Sequence, residues 1–88
     1  MPRQRQKTAA ELMGVTPPKT GRERLIAVAI DLFYDHGFQA VGIDRVIAEA
    51  GVTKTTFYKH FESKDDLMVA AVLTRDEWET RAWDRYLT

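Results

Sequence analysis

The side chains of this sequence that could do chemistry gather between Thr53 and Lys64: Thr53, Lys54, Thr55, Thr56, Tyr58, Lys59, His60 and Lys64. They are hydroxyls, ammoniums, a phenol and an imidazole, and no Asp or Glu stands between Val52 and Phe61. A solvated helix ordinarily mixes both signs of charge. A run of donors without carboxylates suits a polyanion, whose phosphates repel acidic groups. Thr55, Thr56 and Lys59 are also types that read base edges. Threonine offers a hydroxyl, and a methyl suited to thymine; lysine donates to guanine O6 or N7. Thr53 and Lys54 would flank the same groove, and His60 lies at its side.

Catalysis has less to work with. His36 and His60 are the only histidines, and nothing sets His36 beside a second ligand or a nucleophile. A place near a helix C-terminus, where a cation is favoured, accounts for it. Asp65-Asp66 fits the first turn of a helix better than an acid–base pair. The glycines are isolated and form no phosphate loop. No enzyme activity, metal site or cofactor is expected.

The elements that must position these donors can be read around them. Apolar spacing predicts a short helix over Ile43 to Ala50, with Ile43, Val46, Ile47 and Ala50 facing inward. Gly51 breaks it, Val52 follows as an apolar plug, and Thr53 caps a second helix from about Lys54 to Phe61. On that second helix Phe57 and Phe61 lie one turn apart and form the inward face. Thr55, Tyr58 and Lys59 then point outward, with Thr56 on the flank. Helix, glycine turn, helix is the pattern of a helix-turn-helix, whose second helix enters the DNA major groove.

Two longer helices frame the pair. The first starts at a capping box, Thr20-Gly21-Arg22-Glu23, behind Pro17 and Pro18. Leu25, Ile26, Ala29, Ile30, Leu32 and Phe33 give it a wide apolar face; Gly37 ends it and Phe38 packs back. The last opens with Ser63-Lys64-Asp65-Asp66, a second capping pattern, and meets no glycine or proline before Leu87. It is predicted as one long helix, with residues 75–77 as the place for an interruption. Beyond them Trp78, Ala82, Trp83 and Tyr86 form an apolar patch with no evident partner.

The stretch from Gly37 to Leu67 resembles the DNA-binding domain of the tetracycline-repressor (TetR) family of bacterial transcription regulators. The matching pieces are Gly37-Phe38, the run AEAGVTKTTFYKHF from Ala48 to Phe61, and SKDDL from Ser63 to Leu67. The likeness reaches back to Gly21, about two-thirds of the chain. One departure is Gly42, where the family usually carries a Ser or Thr cap. The resemblance implies phosphate contacts from Tyr58 and Lys64. It also implies a homodimer reading a palindromic double-stranded DNA operator, and a small-molecule effector bound by a separate C-terminal domain.

Composition sets the remaining bounds. Eighty-eight residues make one small domain, without a cysteine to staple it and without an apolar run long enough for a membrane span. The net charge is zero, yet residues 1–24 carry +4 and residues 25–88 carry −4. A basic arm on an acidic body suits a nucleic-acid partner better than the total does. The expected fold is all-α: residues 1–18 a flexible basic arm, 19–66 a helix-turn-helix domain, and 67–88 a fourth helix leading to a ligand and dimer domain that these residues do not contain. The expected function is sequence-specific DNA binding in transcription control, as a cytoplasmic, ligand-responsive repressor when full length. The competing reading is a helical protein-interaction module using Trp78, Trp83 and Tyr86.

Overall fold

The computed structural model describes residues 20–87, with side chains over 20–82. The described residues form four helices: α1 (Gly21–His36), α2 (Ile43–Ala50), α3 (Lys54–His60) and α4 (Lys64–Leu87). No strand occurs among the described residues. The all-α expectation holds. The basic arm expected over 1–18 lies outside the described residues.

Each helix begins and ends where its local chemistry dictates. Thr20 accepts a hydrogen bond from the Glu23 N–H at 3.1 Å, so α1 starts at the next residue, Gly21. Gly37 closes α1 at φ 85°, a conformation that a side chain would strain, and its N–H donates to the Phe33 carbonyl. The turn throws Phe38 back across Phe33, with ring centroids 5.2 Å apart and the planes at 70°. At α4 the Asp66 N–H donates to Ser63 Oγ at 3.2 Å, while the Asp66 carboxylate accepts from the Glu62 N–H at 3.0 Å. The reciprocal bond of the cap therefore reaches one residue further back than in the simple capping box.

The core is built around α1, which packs on α4, α2 and α3. Leu25, Ala29 and Ile30 of α1 are buried against Val41, Val46, Phe57 and Leu67. Ile43, Ile47 and Val52 pack on this cluster from its edge, half-buried.

Two readings of the C-terminal third need correction. The interruption near residues 75–77 is absent: α4 is one helix of 24 residues. Ion pairs one turn apart, Arg75–Glu79 and Arg81–Glu77, both at 2.9 Å, bridge the segment that looked like a break. Trp78 is not left without a partner. It is 8% exposed and belongs to the same core cluster as α1. The unbroken continuation of α4 carries it to that cluster. The interaction surface expected of Trp78, Trp83 and Tyr86 thus loses its first member; the side chains of the other two lie outside the described residues.

Candidate nucleic-acid interface

The turn between α2 and α3 is fixed by its backbone. Gly51 sits in the left-handed region at φ 70°, ψ 31°. Its N–H donates to the Ala48 carbonyl, and the Val52 N–H reaches the Ile47 carbonyl, both at 3.3 Å. That pair of bonds satisfies the open end of α2 within three residues and aims the chain at α3. Thr53 then caps α3: its Oγ1 accepts from the Thr56 N–H at 3.1 Å and donates to the Thr56 hydroxyl at 3.1 Å.

Helix α3 is anchored by aromatic burial. Phe57 is fully buried and Phe61, just past the helix, is 3% exposed. Thr53, Lys54, Thr55, Tyr58, Lys59 and His60 are all exposed. Six of the eight sequence-derived site residues are thus exposed on or next to α3, and α3 itself carries no carboxylate. Tyr58 keeps half its surface in solvent while its ring stands edge-on to Phe57 at 5.0 Å. The His60 ring is set against Phe61 at 6.4 Å.

The other two sit differently. Thr56 is half-buried, its hydroxyl taken by Thr53 and its methyl turned to α1. A Cβ built on Gly21 would lie 3.1 Å from that methyl and 3.7 Å from Val52 Cγ1. Gly21 is therefore where the start of α1 comes against the start of α3. Lys64, at the first turn of α4, is half-buried with its Nζ 4.1 Å from the centroid of the Phe38 ring.

Sequence reasoning missed four partners. Asp44 on α2 lies 3.8 Å from the Lys54 ammonium, so one carboxylate does border the donor face. Both groups are largely exposed, which makes the pair weak. Arg22 lies over Phe61 at 5.5 Å, and Phe38 holds Lys64. Arg45 links the end of α1 to α2 through His36 Nε2 at 3.4 Å, beside its pair with Glu49. Each contact except the last pair joins residues too far apart in the chain for helical spacing to reveal it.

Among the described residues no three His, Asp or Glu side chains gather into a metal site. No described helix is long and apolar enough to cross a membrane.

Known proteins share this arrangement. The family described as bacterial regulatory proteins, tetR family, matches residues 25–71. The HTH-type transcriptional regulator YerO of Bacillus subtilis is 42% identical over 50 residues, covering 57% of this chain and 17% of that protein. The HTH-type transcriptional activator FasR of Mycolicibacterium smegmatis is 38% identical over 56 residues, or 64% of this chain and 26% of that protein. The regulator TtgW of Pseudomonas putida matches 78% of this chain at 33% identity and is itself covered over 47% of its length. Among solved structures, the TetR-family regulator SCO4454 of Streptomyces coelicolor superposes with a TM-score of 0.64 at 41% identity, over 85% of this chain and 37% of that one. The chain thus spans less than half the length of these proteins. With the profile matching more than half of its residues and the helix-turn-helix geometry in place, the chain belongs to the tetR family of bacterial regulatory proteins.

Proposed function

We propose that this chain binds double-stranded DNA sequence-specifically by laying α3 in the major groove. The observation that carries the reading is the acid-free outer face of α3, exposed on a helix locked by Phe57 and Phe61. A helix anchored on one side by aromatic rings and bristling with donors on the other fits a groove lined with acceptors and phosphates.

Tyr58 and Lys64 contact phosphates and set the register. Thr55, Thr56 and Lys59 meet base edges, Thr56 through what its position against Gly21 leaves accessible. Thr53, Lys54 and His60 flank the groove. In the full-length polypeptide two copies read a palindrome with half-sites about one helical turn, ~34 Å, or more apart. Control by a small-molecule effector and repression as its direction, both resting on the resemblance, and a cytoplasmic location complete the proposal. A relative carries the name of an activator, so direction is decided by a reporter assay with the operator upstream of a promoter.

The test is selection from a randomised duplex library at two salt concentrations, with Tyr58→Phe and Lys59→Ala alongside the wild type. A palindromic motif should emerge, with affinity falling steeply with salt. Tyr58→Phe should weaken all sequences alike. Lys59→Ala should relax one position by about 1–3 kcal/mol. Failure to select any duplex, even after artificial dimerisation, would overturn the reading.

A further inference from the structure

We propose that Phe38 is a positioning residue for DNA binding: its ring face seats the Lys64 ammonium for a phosphate. This rests on the reading above, in which Lys64 meets the DNA backbone.

The observation is a chain of contacts that runs from the core to the surface. Phe33 is buried on α1, and Phe38 stands edge-on to it at 5.2 Å, returned there by the turn at Gly37. Lys64 Nζ lies 4.1 Å from the Phe38 centroid. Among the described residues no carboxylate pairs with Lys64; the Asp66 carboxylate accepts from the Glu62 N–H at 3.0 Å. Lys64 also stands at the first turn of α4, where the helix dipole opposes a cation. The contact that holds it there is therefore the negative face of an aromatic ring.

The distinction matters for an anion. A carboxylate partner orients an ammonium but cancels its charge, as Asp44 does in part for Lys54. A ring face orients the ammonium and leaves the full charge for the incoming phosphate. Phe38 thus reduces the freedom that Lys64 must lose on binding without competing for it.

The experiment compares wild type, Phe38→Leu, Phe38→Tyr and Lys64→Ala, with the double variant of Phe38→Leu and Lys64→Ala, on the selected duplex across a salt series. Melting curves confirm that each is folded at the temperature used. Phe38→Leu should weaken binding about two- to five-fold on all sequences alike, and Phe38→Tyr should restore it. Lys64→Ala should make the salt dependence shallower by about one unit of slope. In the Lys64→Ala background Phe38→Leu should have no further effect. Independently of DNA, the Lys64 side-chain protons should show an upfield ring-current shift that Phe38→Leu abolishes.

An equal loss from Phe38→Leu with or without Lys64 overturns the proposal, as does an unshifted Lys64 resonance. If Lys64→Ala changes neither affinity nor slope while Lys59→Ala still relaxes one position, the role of Lys64 falls and this inference with it, but DNA reading by α3 stands. If the wild type selects no duplex even when artificially dimerised, the proposed function itself has failed.

Discussion

Gly21 shows how one absent side chain sets the reading helix. Any Cβ there would press to 3.1 Å on the Thr56 methyl, tighter than ordinary packing. Thr56 has little room to give, because its β-branched side chain is stiff and its hydroxyl is tied to Thr53. Gly21→Ala should therefore destabilise by about 1 kcal/mol despite alanine's better helix propensity, lowering the melting temperature by roughly 4–8 °C. In a Thr56→Ser background, where the offending methyl is gone, the same substitution should be neutral or stabilising. Thermal melts of the four proteins decide it. At this scale the sequence was informative where partners are neighbours in the chain. Thr53 as cap and Phe57 with Phe61 as the inward pair follow from helical spacing. The contacts of Gly21 with Thr56, Arg22 with Phe61 and Phe38 with Lys64 join different elements, and no local periodicity encodes them.

The elements were legible almost to the residue because their ends carry strong signals. Gly51 stops α2 in the left-handed conformation, and Thr53 starts α3 with the predicted cap bond. Helix α2 begins on the weakest of these signals. Gly42 occupies its cap position at φ −92°, ψ 163°, ordinary extended backbone, with no side-chain bond to the helix and nothing within 4 Å of a Cβ. Gly42→Ser should fit without strain and add a cap bond, raising stability by a few tenths of a kcal/mol, or about 1–2 °C in the melting temperature. A calorimetric melt showing a lower transition would mean that the turn before α2 needs the glycine for a reason its geometry does not display. The long helix expected as α4 is there, without the interruption allowed at residues 75–77. A polar run over residues 74–77 looked like a break, because a sequence window sees charges and not the i to i+4 pairs that they form.

At the scale of the molecule, the proposed binding mode gives one reading helix per copy, which would limit affinity. Joining two copies by a flexible linker that spans successive major grooves should raise apparent affinity for a palindrome by about 10²–10⁴, with no new protein–DNA contact. A single half-site should gain far less; titration of both duplexes separates the two. The misplaced expectation at this scale was Trp78, judged partnerless because α1 lies more than forty residues earlier in the chain. Its burial has an optical consequence. Trp78 and Trp83 are the two tryptophans of the sequence. In a Trp83→Phe protein the remaining indole is 8% exposed in the wild-type structure, so it should emit at short wavelength and resist acrylamide quenching. It also sits far along α4 from the residues assigned to DNA. The chain therefore carries its own fluorescent gauge of whether α4 stays docked on α1, readable without a dye while α3 is occupied.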